Sequence, residues 1–196
     1  MRRLRAAALA LLAVVLVSCA GLRPTREGPI VVPADVDRFE LNGSINLRVQ
    51  QESFPGRVRW EHQPESDELW FYSPIGTTVA HLRQDPSGAL LVTSEGKEYR
   101  AKGLRQLAFD VLGWDLPIEA LPYWVRGLPW PKAEETEVRR DEQGRLEALL
   151  QAGWRVAYLA WDGSGVRGLP SKLDVTGERL RMRLAITRWQ LLGNTR

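Results

Sequence analysis

From Phe39 onward apolar and polar residues alternate one for one. Phe39, Leu41, Ile45, Leu47 and Val49 fall on one side, and Glu40, Asn42, Ser44, Asn46 and Arg48 on the other. A period of two is that of a β-strand with one face in a core and the other in water. The same signature returns at Val58 and Trp60, and again at Leu180, Met182, Leu184 and Ile186. Shorter runs fall at 68–72, 77–83, 89–93, 145–150, 154–161 and 172–176, separated by turn chemistry such as Asp85-Pro86-Ser87-Gly88 and Asp162-Gly163-Ser164-Gly165. Nine to eleven antiparallel strands follow. Only the middle departs from this pattern. Leu104, Leu107, Ala108, Val111 and Leu112 are spaced as on a helix, and Gly113 sits where it would stop. A second short helix is expected over 117–125, opened by Pro117 and ended by Gly127 and Pro129. Strands, two helices, then strands again predict a mainly β, α+β fold. The expected form is a curved, partly closed antiparallel half-barrel with helices over its open side. The two copies of Arg-Gly-Leu-Pro, at 126–129 and 167–170, read as loop punctuation.

The chain opens with Arg2, Arg3 and Arg5, an apolar run from Ala6 to Val17, and Ser18. These are the parts of a secretory leader, and the run is too short to span a bilayer core, which takes about 20 residues. Leu16-Val17-Ser18-Cys19 resembles the bacterial lipobox, and Cys19 is the only cysteine. The resemblance implies cleavage after residue 18, lipid on the Cys19 sulfur and, with Ala20 next, the outer membrane of a Gram-negative cell. Residues 19–35, rich in Pro, Gly and Arg, read as a tether, and 36–196 as one folded body. The leader holds three of the 27 basic residues and none of the 24 acidic ones. The remainder is therefore balanced in charge, which argues against nucleic acid as a partner. With one cysteine no internal disulfide is possible, so stability must come from a packed core.

Catalytic and metal-binding motifs are missing from the sequence. His62 and His81 with a lipidated cysteine make no zinc set, and both read as solvated surface histidines. Gly163-Ser164-Gly165 lacks the esterase spacing, and neither a P-loop nor a dinucleotide fingerprint is present. No catalytic residue, metal or cofactor is assigned, and an enzyme is not expected. Eight tryptophans supply large apolar area. On a curved sheet they make an apolar pocket plausible. Trp60, Trp70, Trp124, Trp154 and Trp161 are its candidate tryptophans, and Leu41, Ile45, Leu47, Leu107, Val111, Val156, Met182, Leu184 and Ile186 join them as candidate cavity or lid residues. In Ser73-Pro74-Ile75-Gly76, Ile75 is a large apolar residue in a turn where a polar one is expected. Two orientations are open: folded back as a plug, or projecting.

Trp60, Leu69-Trp70-Phe71-Tyr72-Ser73-Pro74-Ile75-Gly76, Leu116-Pro117 and Leu121-Pro122-Tyr123-Trp124-Val125-Arg126-Gly127 occur in that order. Gln151-x-Gly153-Trp154-x-Val156-x-Tyr158, Leu169-Pro170 and Trp189 follow them. The ordered set, with the lipobox, resembles the LolB family of outer-membrane lipoprotein receptors. The resemblance implies a half-barrel of about eleven strands whose apolar cavity holds the acyl chains of a lipoprotein cargo. It further implies receipt of that cargo from the periplasmic carrier LolA, and its release into the inner leaflet of the outer membrane by a monomer. The family's protruding loop residue, a Leu in Pro-Leu-Gly, maps onto Ile75 between Pro74 and Gly76. The rival expectation is a structural or assembly lipoprotein with a flat partner-binding surface.

Overall fold

The computed structural model describes residues 31–112 and 118–193. They form one antiparallel sheet of eleven strands. The first six are β1 (Phe39–Val49), β2 (Glu52–Gln63), β3 (Ser66–Tyr72), β4 (Thr78–Asp85), β5 (Gly88–Thr93) and β6 (Glu98–Ala101). The remaining five are β7 (Glu135–Arg140), β8 (Leu146–Gln151), β9 (Trp154–Trp161), β10 (Pro170–Thr176) and β11 (Leu180–Leu191). Their order across the sheet is β6-β5-β4-β3-β2-β1-β11-β10-β9-β8-β7. Two meanders are thus joined where the first strand pairs with the last. β6 and β7 are left as the two free edges, and the chain between them must cross from one edge to the other. That crossing carries α1 (Leu104–Leu112) and, after a 3-10 turn at Ile118–Ala120, α2 (Leu121–Val125). Both helices pack on the apolar face of the sheet, α2 through Trp124 and α1 through Leu104 and Leu107.

The alternation decides which face turns inward. Register rungs join Leu41 to Trp60 and Trp189, Trp60 to Leu69, Leu69 to Leu82, and Leu82 to Leu91. On the other half Leu47, Met182, Val175, Val156 and Leu149 make a second run of apolar partners. Right-handed twist accumulates over so many strands and curls the sheet about this apolar face. The β1–β11 register slips between Asn42 and Gly43. Gly43 permits this, because a Cβ there would collide with the Ala185 carbonyl, and the bulge sharpens the bend.

Two apolar cores result. The larger gathers Phe39, Leu41, Trp60, Trp124, Val156, Leu173, Leu184, Ile186 and Trp189; the smaller holds Ala89, Leu104 and Leu107, with Leu82, Leu91, Val111 and Ile118 packed around it.

Several expectations change. β6 and β7 escape the alternation because as edge strands they are exposed along almost their whole length. Their charged residues discourage further pairing. The helix expected over 117–125 is a 3-10 turn followed by a single short α-segment, and Gly113 and Pro117 lie outside the described residues. Residues ahead of 36 also touch the body, since the Val31 N–H donates to the Arg167 carbonyl at 3.0 Å. The Arg-Gly-Leu-Pro copies are more than punctuation. Gly127, at φ 82°, lies against Trp161 and Pro170, so the two segments pack together.

Candidate functional site

The apolar face is filled across β8 to β11 and at the Phe39 end, and only half-buried over the rest of β1 to β5. At the filled end Phe39 meets Trp60 and Trp189 edge to face, with ring centres 5.4 and 5.0 Å apart. α2 closes this end by placing Trp124 at 0 % exposure. Trp124 is fixed from both sides: its Nε1 donates to Gln151 Oε1 at 2.8 Å, and its carbonyl accepts from Tyr158 Oη at 2.9 Å. Burial pushes the Tyr158 phenol pKa up, keeping it a neutral donor. Gln151 uses its whole amide. Besides Trp124, Oε1 accepts from the Trp130 N–H at 2.8 Å, while Nε2 donates to the carbonyls of Trp130 and Ala133 at 2.8 and 2.7 Å.

Arg126, also buried, donates through Nε to the Pro122 carbonyl at 2.7 Å and through Nη1 to the Val36 carbonyl, and its guanidinium lies 5.1 Å from the Tyr123 ring centre. Burial presses its pKa down. The side chain ties the lid helix to the start of the body. Neither Gln151 nor Arg126 stood out in the sequence as a polar residue bound for the interior.

Beyond this plug the inward side chains of β8 to β11 are buried as well, among them Leu149, Val156, Val175 and Leu180, whereas those of β1 to β5 stay partly exposed. Ile45, Leu47 and Val49 on β1, Leu69 and Phe71 on β3, Leu82 on β4 and Leu91 on β5 are all half-buried. They line a trough between the two cores. α1 covers its far side with Leu107, which is buried, and Val111, which is half-buried.

The candidate lining divides as follows. Leu41, Trp60, Trp124, Val156, Met182, Leu184 and Ile186 belong to the packed core; Ile45 and Leu47 face the trough; Trp154 sits at the core's margin against Gly177. Trp70 is a correction. Its register partners are Arg59 and His81, on the opposite face. The ring stacks on His81 at 5.0 Å and lies 4.4 Å under the Arg59 guanidinium. Because Leu69, Trp70, Phe71 and Tyr72 are all apolar or aromatic, no alternation marked which of them turn in.

Of the two histidines, His62 departs from the solvated reading and His81 stays at the outer surface. His62 faces inward beside Phe39, its Nδ1 2.7 Å from Asp67 Oδ1, which also accepts from Trp60 Nε1 at 2.7 Å. His81 Nε2 lies 2.8 Å from Glu68 Oε1. Among the described residues no three His, Cys, Asp or Glu gather as a metal site.

At the opposite end from the plug, the β3–β4 loop projects. The Ser73 N–H donates to the Thr77 carbonyl at 2.8 Å and the Gly76 N–H to the Ser73 carbonyl at 2.9 Å. Pro74 and Ile75 are its central residues. Ile75 keeps a negative φ while Gly76 takes φ 93°, which makes a type I turn closed by a left-handed glycine. That geometry turns Ile75 outward, to 90 % exposure. The plug orientation is thereby excluded.

The sequence profile of the family described as outer membrane lipoprotein LolB matches residues 37–189. The chain belongs to the LolB family. The outer-membrane lipoprotein LolB of Nitrosomonas europaea is 36 % identical over 188 residues, covering 90 % of this chain and 88 % of that one. That of an Azoarcus species is 34 % identical over 191 residues, covering 97 % of each. LolB membership places the protein at the outer membrane of a Gram-negative bacterium. Among solved structures, a LolA superfamily protein from Nitrosomonas europaea superposes with a TM-score of 0.50 at 8 % identity, over 81 % of this chain and 87 % of that one. At that identity the likeness is one of fold alone. Cys19 lies outside the described residues.

Proposed function

We propose that this LolB-family protein, held at the outer membrane by lipid on Cys19, accepts lipoproteins from the soluble carrier LolA. It shelters their acyl chains against the concave trough and releases them into the inner leaflet. The observation that carries the reading is the pairing of a half-buried apolar trough with an isoleucine at 90 % exposure at one end of the same sheet.

A triacylated cargo carries on the order of 40 methylenes, and at about 0.8 kcal/mol each their exposure to water costs some tens of kcal/mol. The chains must therefore pass directly from one apolar container to the next. Transfer runs downhill if the receiving face binds them better, and no bond is made or broken. The trough suits that task because its polar neighbours are already engaged with one another: Asp67 with His62 and Trp60, and Gln84 Oε1 with the Leu104 N–H at 3.3 Å. The rival assembly lipoprotein needs a flat surface, whereas here the apolar face is concave and lidded.

Transfer of a fluorescently labelled lipoprotein from purified carrier to the purified protein, then to liposomes, tests the reading. Label should appear on the protein before it appears in lipid. Label reaching liposomes equally fast without the protein would refute it.

A further inference from the structure

On the convex face one rung of the sheet runs Arg155 (β9), Thr176 (β10), Arg181 (β11), Arg48 (β1) and Ser53 (β2), each paired in register with the next. The rung contains three guanidinium groups and no carboxylate. Arg48 and Arg181 stand directly opposite one another, where like charges weaken a sheet. Arg181 is held by Asp174, one strand over, and Arg155 by Glu137 at 2.7 Å. The Arg48 side chain is exposed and makes neither ion pair nor hydrogen bond among the described residues. A sequence optimised for the fold alone would place an acid there.

The rung lies at the end of the sheet that carries Ile75. Tyr72 pairs with Arg57, and Arg57 with Ser44. Arg48 is four residues beyond Ser44, and Ile75 three residues beyond Tyr72, in the same direction. Ile75 and the rung therefore reach about the same height, with Arg48 two to three strand spacings from the loop, roughly 10 to 15 Å, and Arg155 five to six, roughly 25 Å. Carboxylates at this end sit in or beside the turns, at Glu52, Glu95 and Glu178, and at the β7 edge, at Glu134, Glu135 and Glu137; Glu95 is taken by Lys97 at 2.8 Å and Glu137 by Arg155.

We infer that this rung is a phosphate-binding edge that seats the sheet end-on against phospholipid head groups beside Ile75. The inference rests on the reading of Ile75 as the residue that enters lipid. Guanidinium groups bind phosphate through two parallel hydrogen bonds, and a plane of head groups supplies such acceptors to a row of donors. A membrane fits better than a cargo-bearing protein because the rung is on the convex face, turned away from the trough that such a protein must meet.

The test is co-sedimentation of the full chain carrying Cys19→Ala with vesicles of phosphatidylethanolamine and phosphatidylglycerol at low salt. Arg48→Glu exchanges one positive charge for one negative and should weaken binding about thirtyfold, and Arg48→Gln about fivefold, with both differences shrinking as salt rises. Because the new carboxylate faces Arg181, the Arg48→Glu melting temperature should be unchanged or raised. Wild-type vesicle binding by Arg48→Glu would overturn the inference. So would loss of cargo receipt from the carrier with vesicle binding intact, which would assign the rung to a protein partner. Ile75→Glu, run in parallel, separates the two readings. If it alone loses vesicle binding, the loop reading stands and the rung falls; if Arg48→Glu alone loses it, the rung stands and the loop falls.

Discussion

Replacing Ile75 by Glu separates folding from delivery. The side chain is 90 % exposed, so its loss removes almost no packing. The loop is closed by backbone bonds of 2.8 and 2.9 Å and by the Thr77 N–H donating to Ser73 Oγ at 3.2 Å, none of which involves the Ile75 side chain. Its negative φ is open to any residue, so stability should change by less than about 0.5 kcal/mol. At the bilayer the balance is different. Burying an isoleucine in lipid is worth about 1.5 to 3 kcal/mol, and forcing a carboxylate toward the acyl layer costs on the order of 2 to 3 kcal/mol. The loop-inserted state should therefore fall by roughly a thousandfold. Ile75→Ala, which keeps the site neutral but removes three carbons, should cost about 2 kcal/mol, or roughly thirtyfold. Ile75→Leu should behave as wild type. The measurement loads each variant with a fluorescent lipoprotein and follows its appearance in liposomes, beside a thermal melt and a loading assay. Wild-type delivery by Ile75→Glu would refute the reasoning, as would a collapse of its melting temperature.

Cys19→Ala should give a soluble body that still accepts cargo, because the whole sheet and both cores lie within residues 31–193; failure to fold without the lipid would contradict this. Tyr158→Phe leaves the Trp124 carbonyl without its 2.9 Å donor and should cost about 1 to 2 kcal/mol, with faster amide exchange in α2 than in β9; equal exchange in the two would show that the hydroxyl does not hold the lid. Asp174 accepts hydrogen bonds from Arg183 and Arg181, which hold its carboxyl pKa below the usual carboxylate value against an opposing push from burial. A lowered folded pKa means that this stabilisation is fully present above the unfolded value of about 4 and is lost as pH falls through the folded one. Asp174→Asn should therefore lower the melting temperature at pH 7 more than at pH 3, and an equal loss at both would show that the charge is not responsible.

Much of this architecture is written in period-two alternation, and it is legible wherever one face meets the core and the other meets water. β1 and β11 obey that rule, so they stand out in the chain. β6 and β7 have water on both sides and leave no periodic trace. Trp70 is hidden for the opposite reason, since its strand is apolar on both faces and only the register with Arg59 and His81 decides its side. The burial of His62 depends on Asp67 across a hairpin and on Phe39 from another strand. Arg126 and Gln151 look like surface residues in sequence because most of their partners are main-chain carbonyls, which carry no sequence signal. Ile75 could be recognised as misplaced for a turn, but its direction needed the left-handed conformation of Gly76.

The bond between Val31 and Arg167 fastens the chain at the end of the sheet away from Ile75, most of the length of β1 from the loop and so on the order of 30 Å. On the proposed anchoring, eleven residues, 20–30, separate that knot from Cys19, and the twelve Cα steps drawn straight would reach about 40 Å. On that proposal the protein would ride like a moored boat with its rope tied at the stern and its prow toward the quay. Touching the bilayer with Ile75 would use up nearly all the slack, whereas swinging out to meet a carrier would let the line fall loose. Shortening the mooring by a few residues would hold the prow off the membrane while leaving both the anchor and the hull intact.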